Sequence, residues 1–127
     1  MKKVFFLIII LLNFSTSFAQ NETHKKVTNS FILNFNNSNF EMIFNSFSTK
    51  MKNSRPKNYF LNLFKKVKKD YGNLLFIELT DYQENSQKKS RGIYNGHFES
   101  GNLQIKITVD SKEEIIGLYI LKDKIVL

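Results

Sequence analysis

The sequence predicts an α+β domain in which three helices cover the apolar face of an antiparallel sheet of about four strands. Three observations lead there. Apolar residues recur at helical spacing through the first half of the chain. From Leu74 the period shortens to two. The helical and extended segments are segregated along the chain rather than alternating.

The elements follow in order. Lys2 and Lys3 precede an unbroken apolar run, Val4 to Leu12. A more polar stretch, Asn13 to Ala19, then puts Ser17 and Ala19 at the −3 and −1 positions of a small-residue cleavage site. This reads as a secretory signal peptide over residues 1–19, cut between Ala19 and Gln20. The apolar run is roughly half of the ~20 residues a membrane-spanning helix needs. No cysteine follows the cut to carry a lipid. The expected product is an exported chain, periplasmic or extracellular, soluble and without a transmembrane anchor. Residues 20–26 read as a flexible polar lead and 27–127 as a single α+β domain.

Val27, Phe31, Ile32 and Phe35 mark a first helix, and the Asn36-Asn37-Ser38-Asn39 run breaks it. Phe40, Ile43, Phe44 and Phe47 mark a shorter second one. Ser54 reads as the N-cap of a third helix, with Pro56 in its first turn. That helix runs to Tyr71, with Phe60, Leu61, Phe64 and Val67 on its apolar face and Lys65, Lys66, Lys68 and Lys69 on the other; Gly72 stops it.

Leu74 to Tyr82 reads as a strand, followed by the polar loop Gln83 to Ser90. Gly92 to Glu99 and Asn102 to Val109 form a hairpin around Ser100-Gly101, in which Glu99 pairs with Asn102. Tyr94, Gly96 and Phe98 then share an apolar face with Leu103, Ile105 and Ile107. Asn95 and His97 share the polar face with Gln104 and Lys106. Ile115 to Leu121 is the last strand.

Composition narrows the function classes. The 127 residues include 13 Phe and no Cys, so stability rests on packing without disulfides. An exported chain without cysteine fits a bacterium better than an animal secretion. The net charge is +8, and only two of the basic residues, Arg55 and Arg91, are arginine. Nucleic-acid readers lean on arginine, so no nucleic-acid partner is expected. The abundance of Lys, Asn, Ile and Phe suits an AT-rich genome.

The residues assign no catalytic group, cofactor or metal. His24 and His97 lie far apart, and no His, Cys, Asp and Glu cluster has metal-ligand spacing. S-x-x-K occurs at Ser54–Lys57 and Ser86–Lys89, without the partner motifs that serine β-lactamase-type enzymes carry. Asn95, His97, Gln104 and Lys106 form a candidate partner face. Tyr82, Tyr94 and Tyr119 are candidate polar tips for a pocket between helices and sheet.

Four segments carry a family resemblance: NSNFEMIFNSFSTKMK (Asn37–Lys52), KKDYGNL (Lys68–Leu74), YNGHFESGNLQIKITVD (Tyr94–Asp110) and IIGLYI (Ile115–Ile120). In order and spacing they resemble the small bacterial domain of unknown function, nuclear-transport-factor-2-like or cystatin-like. That domain precedes the catalytic domain in secreted serine β-lactamase-like hydrolases. The resemblance spans Val27 to Leu121 and rests on core and turn positions such as Phe44, Met51, Tyr71, Gly72, Gly101 and Gly117. It implies a curved sheet wrapped by helices, a cone that encloses a pocket. It does not imply hydrolase activity, because the hydrolase's residues are not in this sequence.

The expected function is therefore a non-enzymatic accessory or binding domain, a stand-alone version of that module. Its partner would be an envelope protein or a secreted hydrolase, or a second copy in a homodimer. One alternative is a binder of a small apolar ligand, or an isomerase-type protein, using the pocket. Another is a basic envelope-surface binder acting through Lys65–Lys69.

Overall fold

The computed structural model describes residues 21–122. The expected signal peptide lies outside the described residues. Helices pack on one face of an open four-stranded antiparallel sheet, an α+β fold. The helices are α1 (Glu22–Asn36), α2 (Phe40–Asn45), α3 (Thr49–Lys52) and α4 (Lys57–Tyr71). The strands are β1 (Leu74–Glu84), β2 (Ser90–Phe98), β3 (Gly101–Val109) and β4 (Ile115–Lys122), in meander order.

Residues 21–26 depart from the flexible polar lead read over 20–26 in the sequence. Helix α1 begins at Glu22, because Asn21 caps it: its Oδ1 accepts from the His24 N–H at 2.6 Å. His24, Val27, Thr28, Phe31 and Phe35 then form one buried stripe, so the helix reaches a full turn further back than its apolar residues indicate. At the other end the Lys68 ammonium donates to the carbonyls of Phe35 and Asn36 and to Ser38 Oγ. These carbonyls have no partner within the helix.

Ser54 does not cap α4. Its hydroxyl donates to the Met51 carbonyl at 2.6 Å and closes the short helix α3, while Pro56 stands at the α4 N-cap without a side-chain bond. Gly72 ends α4 at φ +80°, as its place in the sequence indicates. Helix α3 itself was not expected; Ser48 Oγ caps it by accepting from Met51 N–H.

The hairpin register also differs. Phe98 pairs with Gly101, so Glu99 and Ser100 are the turn residues. Their N–H groups donate to the carbonyls of Asn73 and Tyr71, at 3.0 and 2.9 Å, which ties the turn to the end of α4. The shift is two residues in pairing, and a slip by an even number keeps every side chain on its face. Tyr94, Phe98, Leu103, Ile105 and Ile107 are accordingly all buried.

The core lies between this face and the helices. Phe35, Phe47, Phe64, Ile43, Ile105 and Ile115 are almost completely excluded from solvent. Phe35 meets Phe98 edge-on at 5.8 Å, and Phe47 meets Phe60 at 5.0 Å. Cavities open between the last helix and the edge strand β4, and between α1 and α2.

Candidate functional site

The outer face of the sheet carries no helix among the described residues. Asn95, His97, Gln104 and Lys106 all stand on it: Asn95 pairs with Gln104, His97 with Asn102, and Lys106 with Ile93 and Tyr119. The Phe76 ring stacks on His97, with centroids 4.2 Å apart, and Glu78 Oε1 is hydrogen-bonded to His97 Nε2. Asn95 Oδ1 is buried yet has no hydrogen-bond partner among the described residues. Phe76, Tyr119 and Leu121 are exposed on the same side.

The three candidate tyrosines are therefore divided. Tyr119 is opposite Lys106 on the outer face and 60 % exposed. Tyr82 and Tyr94 face inward and meet a residue that the sequence reading passed over. His24 is fully buried between them. Its Nδ1 lies 2.8 Å from Ser90 Oγ and its Nε2 2.9 Å from the Tyr94 hydroxyl, with the Tyr82 ring edge-on at 5.3 Å. The Tyr82 hydroxyl donates to Glu84 Oε1 at 2.6 Å and accepts from the Asn21 N–H at 3.1 Å. Burial pulls the His24 pKa below 6.5, against the opposing pull of the Glu84 charge. Burial raises the Tyr94 hydroxyl, more than the neighbouring Thr28 hydroxyl lowers it. Tyr82 is raised too, first by burial. Both His24 nitrogens are engaged, so the ring offers no lone pair to a substrate; it clasps α1 to β1 and β2. The sequence signal was the helical series His24, Val27, Thr28, Phe31 behind the Asn21 cap.

The third feature is a groove between α4 and the edge strand β4, with a volume of about 780 Å³ in its wider part. That is room enough for a ligand of several residues or a drug-sized molecule. Its walls carry an apolar set, Met51, Tyr59, Phe60, Leu63 and Phe64 on the helical side and Leu118 and Ile120 on the sheet, beside the polar Ser48 and Ser54. Lys50, Arg55 and Lys89 stand around it against a single acid, Asp110. The Arg55 guanidinium lies over the Tyr59 ring, 5.0 Å from its centroid. Leu63 and Ile120 also line a narrower continuation, where Lys66 and Lys122 outnumber Asp70. The groove is thus apolar within and basic at its margin along the length of β4.

The remaining motifs resolve plainly. The Ser54 hydroxyl is turned to Met51, and Lys57 pairs with Glu41 at 3.2 Å, so this S-x-x-K does not join its two ends. Ser86 lies in the loop between β1 and β2. Lys68 is drawn in to cap α1, so the Lys65–Lys69 run is not a continuous free stripe. Among the described residues no cluster of three or more His, Cys, Asp or Glu could hold a metal, and no helix is long and apolar enough to cross a membrane.

Residues 28–118 match the family described as Protein of unknown function (DUF3887). No curated protein and no solved structure matches the chain.

Proposed function

The chain belongs to the DUF3887 family, and we propose that it acts as a non-enzymatic binding module whose ligand lies in the groove between α4 and β4. One observation carries this reading: the groove joins an apolar floor (Phe60, Leu63, Leu118, Ile120) to a margin where Lys50, Arg55 and Lys89 face one acid. Such a site selects an apolar body bearing negative charge. Tyr119 is among the residues that line this groove, whereas Tyr82 and Tyr94 gather around His24.

The module works outside the cytoplasm, delivered by the signal peptide of residues 1–19, and its fold is of the nuclear-transport-factor-2-like or cystatin-like kind. The partner is an envelope protein, or a secreted hydrolase of the class that carries such modules in cis. N-terminal sequencing of the exported product tests delivery; it should begin at Gln20.

The groove itself is tested by NMR titration with 8-anilinonaphthalene-1-sulfonate, an apolar-bodied anion. Shifts should concentrate at Leu63, Leu118 and Ile120, and Arg55→Glu should weaken the binding. Shifts confined to the outer face, or none, would sink the reading. A second reading is favoured by Asn95 Oδ1, which is buried without a hydrogen-bond partner among the described residues, on the face where Phe76 and Tyr119 are exposed. On that reading the outer face docks the partner, and Asn95→Ala with Tyr119→Ala would abolish co-purification.

A further inference from the structure

Resting on the groove reading, we propose that its ligand is an extended peptide segment with acidic and apolar residues, which adds as a fifth strand to β4, whose outer edge over residues 116–121 pairs with no strand among the described residues. Six consecutive residues of β4, 116–121, line the groove. Side chains of a strand alternate between faces, so a cavity that touches every residue in turn must run along the strand's edge. β4 is a terminal strand, with β3 as its neighbour on one side.

The pairing pattern shows which backbone groups are on offer. The two-residue turn makes Phe98 and Gly101 a mutually bonded pair, and bonding alternates from there. The groups of Gln104 and Lys106 therefore point to Leu121 and Tyr119. Those of Leu118 and Ile120 point away from β3, into the groove. Further back the protein performs this pairing on itself: the Ile115 N–H donates to the Ser46 carbonyl at 2.9 Å, and the Ile115 carbonyl accepts from the Ser48 N–H at 3.0 Å. At Ser48 the chain turns into α3 and leaves the edge. An added strand continues along the course that Phe47 abandons.

The chemistry of the occupant follows from the walls. Main-chain bonds to Leu118 and Ile120 require an extended backbone and are indifferent to its sequence. Alternate side chains of the added strand point inward, where Leu63, Phe60, Leu118 and Ile120 ask for apolar groups. The others meet a margin where Lys50, Arg55, Lys89, Lys66 and Lys122 face Asp110 and Asp70. That excess of positive charge selects Asp or Glu and disfavours Lys.

The test uses the protein from Gln20 onward and a labelled peptide alternating valine with glutamate. Three controls accompany it: valine alternating with lysine, the glutamate peptide with alternate amides N-methylated, and 8-anilinonaphthalene-1-sulfonate. The glutamate peptide should bind, and the lysine and N-methylated peptides should bind at least about tenfold more weakly. Lys50→Glu with Arg55→Glu should weaken the glutamate peptide about tenfold. On binding, the amide hydrogens of Leu118 and Ile120 should exchange more slowly, a readout that needs no variant. Equal binding of the N-methylated peptide, or unchanged exchange at those two amides, overturns strand addition while leaving the groove as the site. Binding of the sulfonate in the groove with no peptide binding has the same meaning. If neither probe binds there, the groove reading falls as well.

Discussion

The buried histidine shows how a single residue sets a pH response. His24 is buried between Ser90 and Tyr94, with Tyr82, Thr28 and Asn21 around it; burial disfavours its charged form, and the Glu84 charge opposes this. Its pKa is depressed in the fold and returns to 6.5 when the chain unfolds. The unfolded chain therefore binds more protons in the window below 6.5, and stability must fall as the pH drops through it. Above 6.5 the contribution is complete. The urea midpoint should decline between about pH 7.5 and about pH 5, and His24→Gln should flatten that decline even though the variant is less stable throughout. A decline of equal size in His24→Gln would assign the effect to other groups. The same cluster depends on a glycine. A Cβ at Gly92 would stand 2.5 Å from the Tyr94 hydroxyl, so Gly92→Ala must displace the ring from His24. Overpacking of this kind costs about 1–3 kcal/mol, measurable as a lower unfolding midpoint.

Among the elements, α1 and α4 are joined by a cation as well as by the Phe31–Phe64 ring contact. Lys68 sits in the lysine-rich segment of α4, yet it reaches the last carbonyls of α1 while Lys65 and Lys69 stay exposed. Hydrogen bonds to a charged donor are worth about 1.5–3 kcal/mol, and Lys68 is part-exposed, so Lys68→Met should cost about 1 kcal/mol. Lys65→Met and Lys69→Met should each stay within about 0.5 kcal/mol of the parent. Chemical denaturation of the three variants separates the cap from the run; equal effects would mean the run acts as one charged face. This contrast also marks what could be read in advance. Helix α4 and the four strands were legible, because period and breakers are local: the Phe60, Phe64, Val67 stripe, Gly72, and the alternation from Tyr94 to Phe98. The role of Lys68 was not, because its partners lie 30 or more residues away. His24 was hidden for a different reason, being a polar residue among polar residues whose burial depends on β2 hydroxyls far along the chain. The groove was legible only through the resemblance, which implied a pocket between helices and sheet; its place between α4 and β4 is the gap those two elements leave, and no local pattern encodes a gap.

At the scale of the whole molecule, the same Phe-rich composition is spent in two ways. Phe64 is fully enclosed, with Phe40 5.9 Å and Phe31 6.4 Å away, whereas Phe76 is 53 % exposed on the outer face. With no cysteine in the chain, nothing covalent supplements the core. Phe64→Ala should therefore cost about 3–5 kcal/mol, a large share of the roughly 5–15 kcal/mol that holds a small domain folded. Phe76→Ala, by contrast, removes a ring that packs mainly on His97 and should change stability by less than about 1 kcal/mol. Paired urea titrations at two protein concentrations decide the matter. A small, concentration-independent effect of Phe76→Ala means the outer face is free in the isolated protein and available to a partner. A loss as large as that of Phe64→Ala, growing with protein concentration, means a second copy already covers the sheet. In that case the outer face is a dimer interface, and β4's edge with its groove is the surface left for recognition.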